Sequence, residues 1–148
     1  MIHWLPPTYI VDMRRPNAAN NPVRIKIRRG APYPGAILAQ ERWEWGFKIP
    51  LFLLGFVPVL LTRIGPIARH LELMGHAVEV AVATTFYGVA DINAYEAREA
   101  AAMSSYPQFK GWDAGKIELE LKKRRSKAMK WVGRHRKLIG KYVMAFAP

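Results

Sequence analysis

The sequence predicts a mainly α (α+β) fold: a short N-terminal β element, a helical core, and a basic C-terminal helix. Three observations predict it. Apolar and basic residues alternate over residues 23–28, which is the period of a half-buried strand. From Ala36 onward, runs of good helix formers are separated by proline and glycine. The chain has 148 residues, 51% of them apolar, which suffices for one domain with a real core and excludes a disordered chain.

Pro6, Pro7, Pro16 and Pro22 punctuate the first part, and residues 17–21 read as a turn cluster. Residues 8–13 read as a short strand that pairs with 23–28 as a hairpin or edge ribbon. Residues 36–47 follow a Pro-Gly turn and read as a helix. Residues 49–61 are nearly all apolar, but Pro50 and Pro58 interrupt them and the run is shorter than the roughly 20 residues of a membrane span. A buried helical hairpin is the expectation there, ahead of a segment lying on a membrane surface.

Pro66 suits a first helical turn, so a helix is expected from about Ile67 to Tyr87 with Gly88 as its C-cap. Asp91 or Asn93 caps the next helix, which runs to about Tyr106 before Pro107 and Gly111 end it. Residues 114–142 read as one strongly basic helix, followed by an apolar tail. The organisation is therefore a basic strand and loop arm (1–35), a helical core (36–113), and a basic helix with its tail (114–148).

Charge follows this division. Residues 1–35 carry six Lys/Arg against one Asp, and 114–148 carry eleven against two Glu. Residues 36–113 carry six Lys/Arg and eight Asp/Glu, so a mildly acidic middle lies between two basic ends. The absence of cysteine excludes a disulfide scaffold, a thiolate zinc site and a thiol nucleophile. The first residues show no positive cluster leading into an apolar run, so export by a signal peptide is not expected.

One spacing in the middle carries chemistry. Glu72, His76 and Glu79 stand at i, i+4 and i+7, on one face of a helix. Carboxylates and an imidazole on one stripe suit zinc, manganese or iron. Gln40 and Glu44 are another i, i+4 pair, and Glu96 and Glu99 an i, i+3 pair. Packed helices would bring these groups together, as in bundles with metal cores. The competing expectation is ordinary local pairing, Glu72 with Arg69 or Glu79 with His76. Apolar neighbours at Leu71, Leu73, Met74, Ala77, Val78 and Val80 weigh against full exposure, and a buried carboxylate needs a partner. The candidate metal ligands are Glu44, Glu72, His76 and Glu79.

The strand at 23–28, the turn Tyr33-Pro34-Gly35 and the helix Ala36-Ile37-Leu38-Ala39-Gln40-Glu41-Arg42-Trp43-Glu44-Trp45 together resemble the opening of small zincin-like proteins of phages and bacteria. In that family the helix carries His-Glu-x-x-His, and a second helix about thirty residues on supplies a glutamate ligand. Arg69-His70-Leu71-Glu72-Leu73-Met74-Gly75-His76-Ala77 is similar to that second segment. The resemblance covers about residues 23–85. It implies a general-base role for Glu41 and a zinc-ligand role for Glu72. The two ligand histidines of the pattern fall on Gln40 and Glu44, so neither histidine is present. His70 and His76 do not replace the motif, because six residues place them about 240° apart on a helix.

The C-terminal segment is the second candidate site. Lys122, Lys123, Arg124, Arg125, Lys127, Lys130, Arg134, Arg136 and Lys137 interleave with apolar residues, and Trp131 offers a ring for stacking. A phosphate backbone, a protein partner and a membrane surface are its three candidate partners. Ser104, Ser105 and Ser126 form no nucleophile elbow, and the chain has no phosphate-binding glycine loop. Carboxylates with Trp4, Trp43, Trp45, Trp112 and Trp131 are also compatible with a sugar site, although such rings serve more often as packing anchors.

The expected function is a non-catalytic structural or assembly protein of phage-virion type, a pseudoenzyme on a degenerate zincin-like helical core. Its expected partners are other virion or assembly subunits, and its location the virion or the bacterial cytoplasm. No cofactor is the first expectation, and a divalent metal (zinc) the alternative. Two other functions are weighed: a metal-dependent, peptidase-like hydrolase using Glu41 as general base, and a nucleic-acid-binding protein acting through the basic C-terminal helix.

Overall fold

The computed structural model describes residues 8–12, 18–20, 25–53 and 65–146. Among these the elements are β1 (Thr8–Val11), β2 (Ala18–Asn20), β3 (Ile25–Arg28), α1 (Pro34–Leu53), α2 (Gly65–Tyr87), α3 (Ile92–Met103), a 3-10 turn (Pro107–Phe109), α4 (Ala114–Arg134) and α5 (Arg136–Met144). The protein is mainly helical with a short N-terminal sheet, as the sequence predicts.

The sheet has three strands in the order β1-β3-β2. β1 pairs with β3 in parallel, Thr8 opposite Ile25 and Val11 opposite Arg28, while β2 runs antiparallel to β3. The first and last strands therefore do not form the expected hairpin. Alternation fixes which side chains face inward; the intervening chain fixes direction, and here it inserts β2 on the far side of β3. The inward face is as expected. Ile25 and Ile27 are buried in the same cluster as the helices, and Lys26 and Arg28 point the other way, half-buried. Met13, Val23 and Arg24, expected in these strands, lie outside the described residues.

Helix α1 begins at the Pro-Gly turn and runs past residue 47 to Leu53. Residues 54–61 of the expected apolar hairpin lie outside the described residues. Among the described residues no helix is long and apolar enough to cross a membrane.

The centre of the molecule is α2. Between Leu71 and Ala83 every residue but Glu72 is buried. A helix that is apolar on nearly all sides must be surrounded, and α2 packs against α1, α3, α4, α5 and the 3-10 turn. Gly88 follows it with φ +69°, the left-handed value a glycine C-cap supplies.

Asp91 caps α3 by accepting from Ala94 N at 2.9 Å, and α3 ends at Met103, short of Tyr106. The 3-10 turn follows and buries Phe109 completely. Asp113 then caps α4, accepting from Lys116 N at 2.7 Å. Along α4 the buried positions are Ile117, Leu121, Ala128 and Val132, and the other side carries exposed Lys116, Lys123, Lys127, Lys130 and Arg134. The single basic helix expected over 114–142 is broken at His135 (φ −105°, ψ 16°). The His135 ring stacks on Trp131 at 4.5 Å, with Nδ1 2.8 Å from the Trp131 carbonyl oxygen, so a side chain shares the acceptor of the helical ladder. Beyond the break α5 folds back onto α1, where the Arg42 guanidinium lies 5.0 Å from the centre of the Tyr142 ring.

Candidate functional site

Helix α2 separates two buried polar groups. On the α1 side, Gln40, Glu41 and Glu44 are all buried. Gln40 and Glu44 share a helix face one turn apart, and Gln40 Nε2 donates to Glu44 Oε1 at 3.1 Å. Gly75 of α2 faces this pair. A Cβ there would stand 2.6 Å from Glu44 Oε1 and 3.1 Å from Gln40 Cγ, so glycine is what lets the two polar side chains lie against the helix.

These are the positions at which the zincin resemblance implies ligand histidines. The residues present do not fit zinc. Gln40 offers a neutral amide in place of an imidazole, a poor zinc ligand, and its Nε2–H is directed at Glu44 Oε1. Glu41 is buried on the same helix, and no catalytic step through a metal at this place follows from the geometry.

On the α3 side, His76 is the hub. Its Nδ1 lies 3.4 Å from Glu79 Oε2 and 3.2 Å from Glu99 Oε2. Its Nε2 lies 3.9 Å from Glu72 Oε2. Tyr95 donates its hydroxyl hydrogen to Glu79 Oε1 at 3.0 Å, and Arg98 Nη2 stands 3.6 Å from Glu99 Oε1. Arg98 also covers the Tyr95 ring at 4.4 Å, and the Tyr106 ring lies 6.2 Å from the imidazole. Burial disfavours a charged imidazole here, but Glu79 and Glu99 outweigh it and hold the His76 pKa well above the ordinary histidine value. At Glu99 burial pushes the other way from His76 and Arg98, and those two partners hold its carboxyl below the usual range. Burial and the neighbouring carboxylates push the Tyr95 hydroxyl far up, so it remains a donor.

The structure therefore divides the metal ligands expected from sequence. His76 and Glu79 come together, Glu72 stands on the opposite edge of the ring, and Glu44 belongs to the α1 side. Glu99, named with Glu96 among the converging carboxylates but not among the expected ligands, joins His76 and Glu79. Its pairing with Glu96 is broken by the fold, because one turn of α3 aims Glu99 at α2 and Glu96 at α4. Glu96 is 1% exposed and receives Arg125 through both oxygens, one at 2.9 Å from Nε, while Arg125 also donates to Asn93 Oδ1 at 2.8 Å. The signal for Glu99 was its presence three residues from another glutamate on an Ala-rich helix. Glu72 does not pair with Arg69, which donates to the Gln108 carbonyl at 3.0 Å and lies over Trp112.

The basic cluster changes in the same way. Lys122 pairs with Glu118, Lys123 and Arg124 with Glu120, and Arg125 with Glu96. The densest run of charge is thus matched by carboxylates of the chain itself. Lys127, Lys130, Arg134, Arg136 and Lys137 are exposed and pair with no carboxylate among the described residues. Trp131 is half-buried with one face against His135, which leaves it a poor platform for a base.

No family model, curated protein or solved structure matches this chain.

Proposed function

We propose that this protein is a non-catalytic structural or assembly subunit of phage-virion type, a pseudoenzyme on a degenerate zincin-like helical core. One observation carries the reading: the hydrogen bond between Gln40 and Glu44, buried against Gly75. A metallopeptidase keeps these two positions as lone-pair donors facing a cleft. Here they close on each other and fill a helix–helix contact, so they serve packing. The reading puts the protein in the virion, or in the bacterial cytoplasm before assembly, with other subunits as partners.

Light scattering on a size-exclusion column, with a peptide-hydrolysis assay in the presence of zinc, tests this. An oligomer, or a complex with a virion subunit, without hydrolysis is the expected result. A stable monomer that joins no such complex overturns it. So does zinc-dependent hydrolysis abolished by Glu41→Gln, which establishes the hydrolase instead.

A second reading has its own observation. Lys123, Lys127, Lys130 and Arg134 recur every three or four residues along the exposed side of α4, and three of the four have no carboxylate partner among the described residues. Such a ridge suits a phosphate backbone. After burial, nearby Arg124 and Lys127 lower the His70 pKa, so the positive field extends to α2. Charge reversal at Lys127, Lys130 and Arg134 is expected to abolish nucleic-acid binding and flatten its salt dependence, and reversal at Lys122 to have little effect. Equal effects at both places argue against the ridge.

A further inference from the structure

We propose that His76 Nδ1, Glu79 Oε2 and Glu99 Oε2 bind one divalent transition-metal cation, zinc first among them, in a structural site that ties α2 to α3. The site is distinct from the α1 positions of the zincin pattern and goes beyond the assembly reading above.

Three ligand atoms lie within 4.8 Å of one another. Around zinc, with bonds of about 2.0–2.2 Å, tetrahedral ligands stand about 3.3–3.6 Å apart. The separations from Nδ1, 3.2 and 3.4 Å, are close to that spacing. Two carboxylate oxygens and one imidazole nitrogen are a donor set zinc accepts and manganese tolerates.

Proximity of carboxylates is a weak argument by itself. The independent observation is the state of His76. Its side chain is 7% exposed, yet Nδ1 has no hydrogen-bond partner. Both glutamate oxygens stand at ion-pairing distance from Nδ1, 3.4 and 3.2 Å, but neither contact meets the geometry of a hydrogen bond. A buried nitrogen close to two anionic oxygens and aligned with neither is a poor hydrogen-bond donor. A cation between the three atoms would satisfy all of them.

The outer partners support the same assignment. A bound ligand is commonly held by a second contact on its other atom. Tyr95 takes Oε1 of Glu79, Arg98 stands by Oε1 of Glu99, and Glu72 lies on the Nε2 side of His76. Each partner stands nearest an atom other than the three that converge. The three atoms left over are the three that converge.

The test uses the full-length purified protein, stripped with a chelator and dialysed to mildly alkaline pH, where the ligands are deprotonated. Zinc is titrated by calorimetry, and cobalt(II) absorption reports coordination. One metal per chain is expected, with the visible bands of nitrogen–oxygen coordination. Glu99→Gln and His76→Ala are expected to weaken binding by about 100-fold or more. Glu44→Gln is expected to leave it unchanged. If His76→Ala loses its helical circular dichroism, Glu99→Gln at the partly exposed rim decides. Absence of stoichiometric binding overturns the proposal, as does binding that survives Glu99→Gln. Binding lost in Glu44→Gln instead overturns this site and the pseudoenzyme reading together, whereas oligomeric state bears only on the latter.

Discussion

The Tyr95 hydroxyl donates to Glu79 Oε1 at 3.0 Å, and this bond turns the other oxygen of Glu79 toward His76. Tyr95→Phe keeps the ring against Arg98 and removes only the donor. It is expected to cost about 1–2 kcal/mol of stability and, where metal binds, to weaken binding about tenfold. Urea denaturation and metal titration of the variant check both. An unchanged midpoint with unchanged affinity argues that Glu79 is oriented by packing alone.

Removing Arg125 leaves Glu96, 1% exposed, as a buried carboxylate without its guanidinium. Arg125→Ala is expected to destabilise by about 2–3 kcal/mol, below the cost at a fully buried pair because Arg125 is partly exposed. Lys122→Ala, which breaks only an exposed pair with Glu118, is expected to cost well under about 1 kcal/mol. Denaturation curves of the two variants side by side test the contrast, and equal losses would remove it.

Gly75→Ala sets helix propensity against sterics. Alanine favours the helix by about 1 kcal/mol, but its Cβ meets Glu44 Oε1 and Gln40 Cγ. The expected net effect is a loss of about 1–2 kcal/mol. In a Glu44→Ala background the obstructing oxygen is gone, and the same substitution is expected to be neutral or stabilising. A double-mutant cycle reads this directly, and additivity would show that Gly75 does not hold the two helices close.

In the metal-free protein the His76 pKa is raised, so protonation of His76 favours the folded state. Its contribution is fully present below the unfolded histidine value, about 6.5, and is lost as pH rises through the higher folded value. Glu72, Glu79, Glu99, Tyr95 and Tyr106 surround the ring, and of these the depressed Glu99 acts on the acid side, its contribution fading as pH falls. Stability measured against pH with chelator present is therefore expected to decline on the alkaline side. The decline should be absent in His76→Gln. If that variant shows the same alkaline slope, another group is responsible.

Much of the fold was legible because its signals are local. Pro66, Gly88 and Asp91 mark helix boundaries through backbone chemistry that involves few distant residues. The parallel pairing of β1 with β3 was not legible, since side-chain alternation is blind to strand direction. The break at His135 was hidden for a different reason: no proline marks it, Gly133 lies inside the last turn rather than at the break, and the His135 ring stacks one turn back on Trp131. At the candidate site, the i, i+3 relation of His76 to Glu79 could be counted from the sequence. The arrival of Glu99 depended on how α3 rotates against α2, which its sequence does not set. The same rotation sends Glu96 to Arg125 and removes that cation from the basic surface.

The return of α5 to the start of α1 has a consequence for synthesis. Gly35 donates its backbone N–H to the Tyr87 hydroxyl at 2.9 Å, and a Cβ on it would stand 2.7 Å from both that oxygen and the Val143 backbone. The first helix is therefore seated by residues made midway and near the end of the chain. A ribosome releasing this protein from its N-terminus exposes the apolar faces of α1 and α2 well before the segment that covers the beginning of α1 has emerged. During that interval those faces are open to association with neighbouring chains.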